Sequence, residues 1–100
     1  MPVNLLVEEI GPTRLVHADV SIRGELLILL HSYHPQMVPL KNIFLSTEHR
    51  STKSVRNQLN ALKAEKLVFG DTTVGYCLTR PGYGTAVEQI RRLLLLSSAA

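Results

Sequence analysis

The sequence predicts a small α+β domain in which three helices, an antiparallel β-hairpin and a closing helix follow one another. Three observations carry that expectation. In the segment Ser51–Lys66, Val55, Leu59 and Leu62 recur at offsets of four and seven, the spacing of one helix face. Two short apolar runs, Leu67–Phe69 and Tyr76–Thr79, flank the turn Gly70–Gly75 as the arms of a hairpin would. The chain has 100 residues, 45% of them hydrophobic, which suits one domain built on one core.

Residues 1–100 are therefore read as a single domain, with 1–20 an N-terminal extension, 21–82 the core and 83–97 a C-terminal helix. In the extension, Val3–Ile10 and Thr13–Val20 flank Gly11-Pro12, which interrupts regular structure. Val16, Ala18, Val20 and Ile22 alternate as in a strand, so the region is expected to be an extended pair or a short helix followed by a strand. A helix begins at Asp19 or Ser21, either of which can cap free amides. Its stripe is Ile22, Leu26, Leu30 and Tyr33, widened by Leu27 and Leu29, and so broad an arc implies burial on more than one side. His34-Pro35 ends it, because the residue before a proline avoids helical backbone. Pro39 opens a second helix covering Leu40 to about Leu45 with Ile43 and Phe44 inward, and Ser46–Arg50 is a polar turn. Ser51 caps the third helix, expected to run to about Lys66. Pro81 and Gly82 are expected to end the hairpin, and the last helix to run from about Gly84 to Leu96 on the stripe Val87, Ile90, Leu93 and Leu94.

The formal charge is only +3, but it is unevenly spread. Between Arg50 and Lys66 stand five basic residues (Arg50, Lys53, Arg56, Lys63 and Lys66) against one acid, Glu65. At 100° per residue, Lys53, Asn57 and Asn60 point away from the apolar face of the third helix, with Arg56 beside them. Such a face can be an ordinary solvated one. It also suits a DNA groove, where Arg and Lys pair with guanine edges and Asn with adenine. Arg50, Ser51 and Thr52 sit at the helix start, where amides and dipole favour a phosphate, and Lys63 extends the basic face.

Other function classes find little support. The lone Cys77 excludes an internal disulfide and a finger-type zinc site, and it reads as packing rather than as a redox sensor. His31 and His34 lie three apart at a helix C-terminus, a place the helix dipole alone favours for histidine, so no metal or cofactor is expected. No nucleophile, base and orienting group fall into a motif, so an enzyme is not expected. No apolar run approaches the roughly 20 residues that span a bilayer. The start Met1-Pro2-Val3-Asn4 lacks the features of a signal peptide, and a cytoplasmic protein without a membrane partner is expected.

The run Ser51–Val68 resembles the recognition helix and first wing strand of winged helix-turn-helix families of the MarR and ArsR kind. Tyr76-Cys77-Leu78-Thr79-Arg80-Pro81-Gly82 resembles their second wing strand and its Leu-Thr-x-x-Gly exit, and the likeness covers residues 21–97. It implies a three-helix core, a β-hairpin wing and a C-terminal dimerisation helix. It also implies double-stranded DNA and a second copy of the chain as partners, and a transcriptional regulator that represses by occupying its site. The alternatives are a plasmid or viral segregation or replication protein coating repeated sites, and a winged-helix protein-interaction module that binds no DNA. The hairpin turn departs from the pattern, since its only charge is Asp71, so base reading is expected to rest on the helix. The four-leucine run Leu93–Leu96 exceeds what one helix face buries. The expected dimer interface is therefore Leu27 and Leu29 of the first helix with Ile90, Leu93, Leu94 and Leu96 of the last.

Overall fold

The computed structural model describes the backbone of residues 7–10, 13–16 and 20–99 and the side chains of residues 20–95. The elements are β1 (Val7–Ile10), β2 (Thr13–Val16), α1 (Ile22–Tyr33), α2 (Leu40–Ser46), α3 (Thr52–Ala64), β3 (Val68–Asp71), β4 (Gly75–Leu78) and α4 (Arg80–Ala99). The protein is thus α+β, with the expected order of three helices, hairpin and helix.

Of the two expectations for the extension, the extended pair is the one observed. Strands β1 and β2 are antiparallel, pairing Val7 with Val16 and Ile10 with Thr13, and they lie against α1 and α2. Gly11-Pro12, Ala18 and the alternative cap Asp19 fall outside the described residues. Ser21 is the cap of α1, its Oγ accepting from the Gly24 amide at 3.2 Å.

The breadth of the apolar arc on α1 has a plain cause. Every residue from Gly24 to Leu30 is buried. Leu26, Leu27, Leu29 and Leu30 join Ile43, Val55, Leu59, Leu62 and Leu78 in the main core. Ile28 faces the other way, meeting Ile90 on α4 with Val20, Leu93 and Leu94 around them. Each such side chain contributes about 1.5–3 kcal/mol by leaving water, so α1 is the axle on which the other helices are mounted.

This arrangement corrects the expected dimer surface. Leu27 and Leu29 are 2% and 0% exposed within the chain's own core, so they cannot meet a second copy. Ile90 is likewise buried, and Leu93 and Leu94 are half-buried against Ile28 and Ile90. The side chain of Leu96 lies outside the described residues. Of the leucine run that suggested a partner, Leu93 and Leu94 are taken up by α4 packing on α1, while Leu95 stays exposed.

Of the helix boundaries, two stand close to expectation and one, the start of α4, departs from it. Helix α3 ends at Ala64 with Glu65 as its cap; Lys66 turns to φ +63°, and Leu67 donates back to Leu62 O at 3.0 Å. Helix α2 starts at Leu40 as expected, with Pro39 as its cap. Helix α4 starts at Arg80, not Gly84, with Pro81 and Gly82 inside its first turn. Proline is tolerated there because first-turn amides have no helical acceptor anyway. Thr79 caps this turn, its Oγ1 accepting from the Gly82 amide at 3.1 Å and donating to Lys66 O at 2.7 Å.

The hairpin β3–β4 pairs Val68 with Leu78 and Asp71 with Gly75. Its φ values of +122° at Gly70 and +94° at Gly75 are ones that side chains rarely adopt. Tyr76 exchanges two backbone hydrogen bonds with Val38, which fastens β4 to the segment between α1 and α2. Among the described residues no helix is long and apolar enough to cross a membrane.

Candidate nucleic-acid interface

Helix α3 is held by three side chains and presents the rest. Val55, Leu59 and Leu62 are fully buried, and the Ser51 Oγ accepts from the Ser54 amide at 3.1 Å to start the first turn. Lys53, Arg56, Asn57, Asn60 and Lys63 are all exposed, on the side the helical period assigned them. Thr52, Lys53, Arg56 and Asn57 line a cleft of about 200 Å³. The Arg56 guanidinium lies over the Phe44 ring, 5.9 Å from its centroid, which ties this flank of α3 to α2.

The ion pairs sharpen the electrostatic picture. The only acid of the Arg50–Lys66 segment, Glu65, is gripped by Arg23 through two bonds of 2.6 and 2.7 Å. That pairing lowers the Glu65 pKa and raises that of Arg23. Arg50 is withdrawn from the expected phosphate position: its Nε donates to Glu25 at 2.9 Å and its Nη2 to Val20 O at 2.7 Å. Lys53, Arg56, Lys63 and Lys66 remain as exposed cations on this side of the molecule. Ser51 uses its hydroxyl on the helix cap and on the Ser54 hydroxyl at 2.7 Å.

At the hairpin tip, Asp71 Oδ1 accepts from the Thr73 amide at 2.8 Å and the Val74 amide at 2.9 Å. The Val74 bond most, then the Thr73 bond and more weakly nearby Lys63, hold its carboxyl below the usual carboxylate range. Phe69 and Val74 are 48% and 58% exposed, so the tip is apolar where sequence reading saw only a short turn. The signal for Phe69 was available: strand alternation that buries Val68 must turn its neighbour outward.

The remaining chemistry-bearing residues are used in packing. The rings of His31 and His34 stand 4.9 and 4.7 Å from Tyr83 on α4, and burial, then His34, lowers the His31 pKa. Cys77 is buried, which raises its thiol pKa and disfavours the thiolate a redox sensor needs. Among the described residues no group of three or more His, Cys, Asp or Glu is placed to hold a metal ion. Glu25 is the residue sequence reading passed over, since an acid in the first turn of a helix looks like a solvated one. Comparison with protein-family models, curated proteins and solved structures finds no match to this chain.

Proposed function

We propose that the chain is a winged helix-turn-helix protein that binds double-stranded DNA as a homodimer and regulates transcription by occupying its site. Helix α3 is the recognition helix, β3–β4 the wing, and α4 the dimerisation element. The observation that carries the reading is the outer face of α3. Lys53, Asn57 and Asn60 are exposed and make no hydrogen bond or ion pair with another described residue, and Arg56 touches only the Phe44 ring. A helix that holds its polar face free above a fully anchored apolar face suits entry into a major groove. Support for self-association is narrower and comes from Leu95, 64% exposed on α4. The protein is a binder on this reading and carries out no catalysis.

The test is duplex binding followed over a salt series, first on random sequence and then on a selected site. Each phosphate neutralised adds about −0.9 to the slope of log K against log salt. Replacing Arg56 or Asn60 by Ala costs about 1–3 kcal/mol on the selected site and relaxes base preference there. A double variant that binds the duplex unchanged removes the assignment.

A second reading, a protein-interaction module, is favoured by one observation. Leu40, Phe44 and Leu45, with Lys41, Glu48, Arg50 and Thr52, line an open groove of about 600 Å³ on α2. On that reading duplex binding is absent at low salt.

A further inference from the structure

Glu25 is an acid inside the protein. It is 2% exposed in the first turn of α1, near the start of the buried run Gly24–Leu30. Two side chains from the turn before α3, those of Arg50 and His49, answer it. Arg50 Nε donates to its Oε1 at 2.9 Å, and His49 Nε2 lies 3.0 Å from Oε1 and 2.9 Å from Oε2. The same guanidinium donates from Nη2 to the carbonyl of Val20 at 2.7 Å. Val20 immediately precedes Ser21, the cap of α1, and Arg50 immediately precedes Ser51, the cap of α3. One side chain therefore joins the starts of two helices.

Stability alone is a weak reason for this arrangement. A buried ion pair recovers little more than its desolvation cost, and apolar residues of similar volume often serve as well or better. What the pair supplies is geometry. A guanidinium offers donors in a fixed plane, so satisfying Glu25 and the Val20 carbonyl together leaves Arg50 one position. Moving Arg50 out to a phosphate would leave the Val20 carbonyl without that donor and Glu25 with His49 alone, a cost that a phosphate contact at the surface does not offset.

We infer that Glu25 is a positioning residue for DNA reading: through Arg50 it fixes the start of α3 against the start of α1, and Arg50 serves binding through this brace rather than by touching DNA. The inference rests on the DNA reading of α3. A recognition element must be held to about half an ångström to place its side chains on base edges, and such precision comes from supporting bonds behind it. Glu25 is enclosed and cannot reach a duplex itself, which makes it the cleaner probe of the pair.

The experiment compares Arg50→Lys, Arg50→Ala, Glu25→Gln and the double variant Glu25→Gln/Arg50→Lys in the full chain. Two quantities are measured: duplex affinity over a salt series, and amide hydrogen exchange. Lysine keeps the charge a phosphate would need but lacks the fork the brace needs. Arg50→Lys is expected to weaken binding about tenfold, as much as Arg50→Ala, with the salt slope unchanged. Glu25→Gln weakens it about fivefold, and the double variant is no worse than Arg50→Lys, because both changes break one unit. Exchange over Ser51–Val55 quickens in each variant while the amides of Leu59 and Leu62 stay protected, which reports that the fold persists.

If Arg50→Lys binds like the unaltered chain while Arg50→Ala lowers the salt slope by about one, Arg50 meets a phosphate and the inference is overturned. Unchanged exchange over Ser51–Val55 in Glu25→Gln overturns it too. An unaltered chain that binds no duplex overturns the DNA reading together with this inference, so the two failures are told apart.

Discussion

Gly82 passes so close to Leu67 that a Cβ on it would stand 1.8 Å from the Leu67 carbonyl oxygen. That oxygen also accepts from the Thr79 amide at 3.0 Å, so the first turn of α4 is fitted against the exit of α3 with no room for a methyl group. Gly82→Ala must push the two backbones apart. It is expected to cost about 1–3 kcal/mol, the usual penalty of overpacking, measured by urea denaturation. A variant as stable as the parent would mean that α4 does not begin where Arg80 places it.

This junction is also where the sequence was least legible. Pro81-Gly82 reads as a stop because both residues break helices, yet in a first turn neither penalty applies in full. Helix α3 was legible because Val55, Leu59 and Leu62 obey one period and a single serine caps them. The outward face followed from the same period, so Lys53, Arg56, Asn57, Asn60 and Lys63 could be named in advance. The brace could not, because nothing local distinguishes Glu25 from a solvated acid, and its burial is decided by Arg50 and His49, more than twenty residues later. The breadth of α1 was visible, but whether a second chain or α4 covers it depends on tertiary packing alone.

Lys66 occupies a left-handed position, φ +63°, in the loop that closes α3. Its amide donates to Lys63 O and the next one to Leu62 O, both at 3.0 Å, the pair of bonds for which glycine is favoured at this place. Lys66→Gly is expected to raise stability by about 1 kcal/mol, since it relieves the strain a Cβ feels there. Guanidinium denaturation with an unchanged slope measures the gain, and a lower midpoint would count against the strain.

The His31 imidazole is held below its ordinary value of about 6.5 by burial and then by His34. The folded chain therefore binds this proton less readily than the unfolded chain does. Stability from this group rises with pH through the window just below about 6.5 and is lost as the solution is acidified. The melting temperature should fall from pH 8 to pH 5, and His31→Gln should flatten that fall. Superimposable profiles for the two proteins would show that the ring is not desolvated against Tyr83.

Asp71 has two attributes that separate substitutions can divide: a charge facing Lys63 and an acceptor for two turn amides. Asp71→Asn keeps an acceptor oxygen and removes the charge, so duplex affinity should stay level or rise slightly. Asp71→Ala removes both, and faster exchange at the Thr73 and Val74 amides should report a loosened tip. A large loss of affinity in Asp71→Asn would mean that the tip contacts the partner through this side chain.

Leu95 is the cleanest probe of self-association, because it is 64% exposed and its replacement leaves the chain's own core untouched. Leu93 and Leu94 pack on Ile28 and Ile90, so changing them would unsettle α4 before any interface was tested. If α4 joins two copies, the parent should sediment at micromolar concentration with twice the 11.1 kDa chain mass. Leu95→Glu then places a charge in a self-complementary contact, where symmetry makes it face its own copy. Monomers should result, with the fold intact by circular dichroism. Affinity for a palindromic duplex should collapse toward that of a single recognition helix, since two helices one turn of DNA apart no longer act as a unit. A parent that sediments at the single-chain mass would sink the dimer and leave Leu95 as a lone exposed leucine.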